Sequence, residues 1–234
     1  MSITALRTIV AATEEPITVA EAKAHLRVTY SAEDGYIQGL IRSATDWAQT
    51  FTRRILVNTQ VSIRLDRFPE SGEAMELRGD ITGRWFSIKP NAARRKKEAS
   101  KRDRSVMLPG GFVTAVNEIA YADELGDPQT LEGPTSSPVG TDYTEDLTDD
   151  EWAFVYPEST VGWPSVEPSM VNAVLVDYQA GWLSPLEVPD SIKQAIKFKV
   201  GDMFTIRDSG DAKNRSSLIK VAENLLEPYV VPDF

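Results

Sequence analysis

Pro16-Ile-Thr-Val-Ala-Glu-Ala-Lys-Ala-His-Leu-Arg-Val28, then Ser31-Ala-Glu-Asp34, then a run closing on Phe51-Thr-Arg-Arg-Ile-Leu56, is the stretch that decides the fold. Two helix starts are written into it. Thr18 with Glu21, and Ser31 with Asp34, each set a hydroxyl three residues before a carboxylate, which is the capping-box spacing or its Asp variant. After Ser31, apolar residues fall at Ile37, Leu40, Ile41, Ala44, Trp47, Ala48, Phe51 and Ile55. Gln38, Arg42, Asp46, Gln49 and Arg53 take the other faces, so the spacing predicts one long amphipathic helix. Such a helix is marginal alone and needs a partner to cover its stripe.

The partner is sought at the other end of the chain. Pro189-Asp190-Ser191 supplies helix-start signals, and Ile192, Ala195, Ile196, Val200, Met203 and Phe204 follow at helical spacing. Ser216 or Ser217 opens a last helix, with Leu218, Ile219, Ala222, Leu225 and Leu226 apolar and Pro228 as its stop. The stripe Ile37, Leu40, Ala44, Trp47 and Phe51 is expected to pack on Ile192, Ile196, Val200 and Phe204.

Between these helices the period changes. Val61, Ile63 and Leu65 alternate with Ser62 and Arg64, a half-buried strand closed by Phe68-Pro69. Met75–Arg78 reads as a short strand. Val106–Ala122 reads as strand, Pro109-Gly110-Gly111 turn and strand, with a bulge expected at Asn117 and Glu118. Asp123–Asp127 is a polar turn and Gln129–Leu131 the strand returning from it. Tyr143 and Trp152–Tyr156 offer two more, and Asn172–Ala180 sets Val174, Val176 and Tyr178 on one face. Met1–Glu15 shows little periodicity and reads as an extended lead-in. The expected class is α+β, with N- and C-terminal helices bundled around an inserted antiparallel β unit. Residues 1–59 and 188–234 are expected to make the helical core, and residues 60–187 a β-rich insertion with a basic loop at 79–104.

At 234 residues the chain can bury a substantial core. It has no run of about 18 apolar residues that would span a membrane. Its first residues lack the basic and apolar segments of a secretion signal. Cysteine is absent, which excludes disulfides, thiolate metal sites and a cysteine nucleophile. The net charge of −10 is unevenly spread. Arg84–Arg104 holds nine basic residues against two acidic ones, whereas Ser105–Ile192 holds sixteen Asp and Glu and no Lys or Arg. An acidic chain is a poor general binder of nucleic acid, because duplex affinity comes largely from phosphate neutralisation. Only the basic segment could serve that way. Arg94, Arg95, Lys96, Lys97, Lys101 and Arg102 are the candidate contact residues, for a protein partner or for DNA. The bland reading of that run is a solvated loop.

Catalytic chemistry has little material. His25 is the single histidine, so serine triads and the common zinc sites lack partners. Asp142, Glu145, Asp146, Asp149, Asp150 and Glu151 form an acidic cluster, but without the glycine and spacing of a calcium loop. A solvated acidic loop explains them, and no positive case for an enzyme, a metal or a cofactor arises. Two other readings stay open on the residues alone. One is a free-standing β-rich module binding carbohydrate, or single-stranded nucleic acid through Trp85, Phe86 and the basic run. The other is a hydrolase using paired carboxylates.

The order of these motifs resembles the phage head–tail connector (adaptor) proteins, in particular the branch with a β-rich insertion. The resemblance takes in Pro16–Val28, the long helix to Ile55, and Leu65-Asp66-Arg67-Phe68-Pro69. It resumes at Leu108-Pro109, Val176–Trp182, Val188-Pro189 with Ile192–Ile196, and the closing Leu225-Leu226, Pro228 and Tyr229. Segment 79–104 is longer and more basic than that pattern. The resemblance implies a structural virion protein of the neck, assembled in the host cytoplasm as a ring of about twelve copies between portal and tail. Its partners would be further copies of itself, the portal, tail-side neck or tail proteins, and genome DNA passing through without sequence-specific binding. It also implies that Tyr229, Val230, Val231 and Phe234 form a tail that docks on the portal. The alternative for that tail is a segment laid on its own domain.

Overall fold

The computed structural model describes residues 2–70, 76–77, 104–134, 141–158, 162–208 and 215–231. The elements run β1 (Ser2–Val10), α1 (Val19–Leu26), α2 (Asp34–Thr52), β2 (Thr59–Leu65), β3 (Glu76–Leu77), β4 (Val106–Leu108) and β5 (Val113–Ala122). They continue with β6 (Pro128–Leu131), β7 (Tyr143–Asp146), β8 (Ala153–Pro157), β9 (Val174–Ala180), α3 (Asp190–Asp208), α4 (Arg215–Leu226) and a 3₁₀ turn at Glu227–Tyr229. The class is α+β. Two compact units result: one draws on Met1–Ala11 and Thr59–Gly181, the other on Ala12–Asn58 and Trp182–Val231.

In the helical unit, α1 starts as its sequence dictates. The Glu21 N–H donates to Thr18 Oγ1 at 3.2 Å, and the Thr18 N–H donates to Glu21 Oε2 at 2.8 Å. Both donors would otherwise be orphans of the first turn. The second expected capping box does not form. Helix α2 begins at Asp34, its N-cap position is Glu33 with no side-chain cap, and only the Ser31 carbonyl takes the Asp34 N–H. Ser31 thus stands outside the helix and Asp34 takes its first position, not the third, while Asp34 Oδ1 accepts from Lys23 Nζ at 2.7 Å. Arg53, at φ 57°, ends α2, so Ile55 is buried but lies beyond the helix.

The core joins α2 to α3 and α4. Ile37, Ile41, Ala44 and Ala48 share it with Ile192, Ala195, Ile196 and Val200, together with Ala22, Ala222 and Leu226. Leu40, Trp47, Phe51 and Phe204, expected at its centre, pack only on its margin and are half-buried. The seam lies on the side of α2 where Ala44 and Ala48 leave room for a neighbouring helix. Trp47 instead lies against Phe51, with Lys199 Nζ 5.2 Å above its ring.

The β unit holds two sheets. The larger has the order β3-β1-β2-β9-β5-β6 and the smaller β4-β8-β7. Strand β9 sits between β2 and β5, and its alternation puts Val174, Val176, Tyr178 and Ala180 wholly out of solvent. The bulge expected near Asn117 is present, where the β5–β9 register slips between Val116 and Glu118.

One sequence expectation changes here. Residues 2–10 are not a lead-in but strand β1, paired antiparallel with β2 and, at Ser2 and Ile3, parallel with β3. Arg7, Thr8, Ile9 and Val10 are all exposed, so no period-2 signal marks this strand. Its backbone ladder to β2 runs from Ile3 to Val10. Among the described residues, the β unit is therefore antiparallel except where β1 meets β3. Val106–Ala122 is strand, turn and strand as expected, and the two strands, β4 and β5, belong to different sheets. Gly110 and Gly111, at φ 115° and 78°, make the corner that sends the chain from one sheet to the other.

Equilibrium denaturation distinguishes seam from margin. Ile41→Ala, at a wholly buried site, is expected to cost about 2–5 kcal/mol. Trp47→Ala, at a half-buried one, should cost about 1–2 kcal/mol despite its larger side chain. Equal or reversed losses would contradict the seam described.

Candidate assembly interface

The C-terminal segment is fastened across the end of α2. Val231 N–H donates to the Thr52 carbonyl at 2.9 Å, satisfying one of the acceptors a helix leaves free at its C-terminus. Buried Arg54 donates from Nε to the Tyr229 carbonyl at 2.6 Å, and Arg53 Nη1 reaches the Val231 carbonyl at 3.3 Å. Val231 is buried, while Tyr229 and Val230 are half-buried. Of the expected docking residues, these three thus lie on their own helical unit, and Phe234 lies outside the described residues. What the segment can offer a partner is the partly open faces of Tyr229 and Val230 and the chain past Val231.

A charged network links α1 to α2 and α3. Lys23 pairs with Asp34 as above, and Lys197 Nζ lies 3.4 Å from Glu21 Oε1. The Thr18 backbone N–H holds the Glu21 carboxyl below its ordinary range, helped by the Thr18 hydroxyl and Lys197. His25 stands edge-on to Phe198 at 5.7 Å. Partial burial, and then the Lys197 charge, push its pKa down. It has the surroundings of a surface contact, with no nucleophile or metal partner beside it among the described residues.

In the β unit, one end of the larger sheet is closed by aromatic rings. Phe68 stacks on Trp163 with centroids 4.7 Å apart and meets Tyr121 edge-on at 5.9 Å. Trp163 Nε1 donates to the Arg104 carbonyl at 2.6 Å. The Ala122 N–H donates to the Ala173 carbonyl and the Glu167 N–H to that of Ala122, which brings two loops to that end. They leave Leu125, Met170 and Val171 exposed beside the carboxylates of Asp123, Glu124 and Glu167.

The acidic cluster is used locally. Asp142 Oδ2 accepts the Glu132 N–H, Asp146 Oδ1 the Thr148 hydroxyl, and Asp149 Oδ1 the Glu151 N–H. Burial raises the Glu145 carboxyl, and burial with the Glu145 charge pushes the Tyr143 hydroxyl up to about 12. Gly133 lies so close against the Tyr143 ring that no side chain fits there. Among the described residues, no group of three His, Asp or Glu could hold a metal ion. No described helix is long and apolar enough to cross a membrane.

The basic contact candidates Arg94, Arg95, Lys96, Lys97, Lys101 and Arg102 all lie outside the described residues. Sequence reasoning missed a second apolar face on α4. Leu218 and Val221 are exposed there, while Ala222 and Leu226 are buried. The signal was present: apolar residues at 218, 219, 221, 222, 225 and 226 are too many for one stripe. Leu183 and Leu186, ahead of α3, form another exposed apolar patch.

Two measurements check this arrangement. Glu21, with its pKa lowered, contributes stability that is present above its unfolded pKa and lost as pH falls through the folded one. Glu145, with its pKa raised, costs stability as pH rises from its unfolded pKa through its folded one. Glu21→Gln should therefore be less stable than wild type at neutral pH and Glu145→Gln more stable, both differences shrinking near pH 4. Unfolding curves across pH test the signs. Truncation after Glu227 removes the Tyr229 and Val231 bonds and should cost at least about 2 kcal/mol, whereas truncation after Val231 keeps them.

Residues 16–124 match the model of the phage gp6-like head-tail connector protein family. No curated protein matches the chain. Among solved structures, a chain from the neck of an empty gene transfer agent (GTA) particle computed with C6 symmetry aligns with TM-score 0.66 and 16% identity, over 99% of this chain and 97% of that one. A chain of the virion of the native GTA particle gives TM-score 0.64 and 16% identity, covering 98% and 96%. A chain of the native neck computed with C12 symmetry gives 0.64 and 14%, covering 99% and 97%. At such identities the structural matches speak for the fold alone, shared along nearly the whole length, and the likeness to the phage gp6-like head-tail connector family rests on residues 16–124.

Proposed function

We propose that this protein is a structural connector of a phage-type particle, one copy of many in a ring that joins portal to tail and lets the genome through. The observation that carries this reading is the match of residues 16–124 to the connector family. The fold supports it, since it is shared end to end with chains of neck assemblies that have cyclic symmetry. The chain works by contact and not by catalysis. Its helical unit, Ala12–Asn58 with Trp182–Val231, and its β unit, Met1–Ala11 with Thr59–Gly181, are read as two contact-bearing parts of one subunit. Partners on either side are the portal and tail-side proteins, and the location is the neck of the virion.

Within this reading the basic run 84–104 contacts an anionic protein surface in preference to DNA, because phosphate-binding side chains in a channel would slow genome transit. Candidate surfaces are the carboxylate-rich region 105–192 of the next copy and the portal. The segment past Val231 docks on the portal. Net negative charge elsewhere suits a conduit wall.

Particles assembled with and without this protein provide the test. With it, averaged images of necks should show a closed ring at the portal; complete, tailed particles lacking the protein would overturn the reading. Changing Arg94, Arg95, Lys96 and Lys97 together to Ser should weaken assembly and reduce its salt sensitivity. Exposed pairs contribute only about 0–1 kcal/mol each and are screened, so the effect depends on their repetition around the ring. Unchanged yield and salt response would return that run to a solvated loop.

A further inference from the structure

A ring subunit must present two different surfaces, because each contact joins one face of a copy to another face of the next. The helical unit carries two exposed apolar patches on separate elements. One is the outward face of α4, where Leu218 and Val221 are each 45% exposed, one turn apart, with Lys220 beside them. The other is the loop ahead of α3, where Leu183 is 61% and Leu186 88% exposed, with Glu187 adjacent. Helix α3, 19 residues long, runs between them in the chain with a rise on the order of 28 Å. The loop is held in place, since Lys193 Nζ donates to the Leu186 carbonyl at 3.2 Å and the Glu187 N–H to that of Ser184 at 3.0 Å. Large apolar side chains this exposed are normal singly but informative in groups.

We infer that these patches mate between successive copies: the α4 face of one subunit, through Leu218 and Val221, receives Leu183 and Leu186 of the next. Lys220 on the first side and Glu187 on the second supply matching charge. The occupant is thus a second copy of this chain, and the inference rests on the ring reading above. Mated reciprocally across a two-fold axis, the two patches would close a dimer; a ring needs the heterologous pairing, in which each copy gives one patch to each neighbour.

The chain has no cysteine, so introduced thiols report without background. Leu186→Cys and Leu218→Cys, singly and together, are placed in particles and treated with a short bismaleimide. The double variant should give a ladder of covalent multimers of this chain and neither single variant should. Rings visible in the images without a ladder would overturn this interface while leaving the ring intact. Dimers from a single variant would show a self-pairing contact, and a product joining the Leu218→Cys variant to the portal would show a different occupant; either overturns the inference. Neither ring nor ladder would remove the ring reading itself, and this inference with it. As a second arm, Leu218→Glu with Val221→Glu should keep the wild-type melting transition, both sites being exposed. It should lower incorporation into rings by about tenfold or more, an unpaired charge in a closed contact being strongly unfavourable. Undiminished incorporation of the folded double variant would also overturn the inference.

Discussion

The helical unit depends on one contact, the seam where Ile37, Ile41, Ala44 and Ala48 of α2 meet Ile192, Ala195, Ile196 and Val200 of α3. These residues come from the two ends of a long chain. The entropy of closing such a loop grows only logarithmically with its length, each doubling adding about 0.6 kcal/mol. The seam can therefore hold whether the intervening region is small or large, which leaves that region free to carry two sheets. Alanine at 44 and 48 matters as much as isoleucine at 37 and 41. Small side chains permit close approach, and the large rings of Trp47 and Phe51 are left to cover the edge.

The sequence made legible whatever is fixed by short-range chemistry or by one strongly buried face. Thr18 and Glu21 form their reciprocal cap because both partners stand within a single turn. Strand β9 was readable because its alternating side chains face a real difference in environment. Strand β1 was not, because its exposed residues leave no contrast for a period to express. The start of α2 was misjudged for another reason. The Ser31 carbonyl takes the Asp34 N–H in a turn, so the helix starts at Asp34, later than the Ser31 hydroxyl signal suggests. The separation of β4 from β5 is also a tertiary outcome: Pro109-Gly110-Gly111 signals a change of direction but not a change of sheet.

The candidate interface divides the same way. Charge segregation is a property of the sequence and is visible there, whereas the partner of each charged region is not. The open face of α4 could have been counted from its surplus of apolar residues, since Ala222 and Leu226 already fill an inward stripe. The closing Tyr229, Val230 and Val231 gave no comparable signal. Their attachment is made by backbone carbonyl and amide groups to Thr52, Arg53 and Arg54, and backbone bonds carry no side-chain signature.

That attachment has a mechanical side. Val231 and Tyr229 are bonded to the end of α2 at neighbouring points, through Thr52 and Arg54, and Arg54 is itself buried. A pull on the chain beyond Val231 is therefore delivered to the foot of α2 before it reaches the 3₁₀ turn or α4. Load entering there reaches the same helix whose seam holds the unit together.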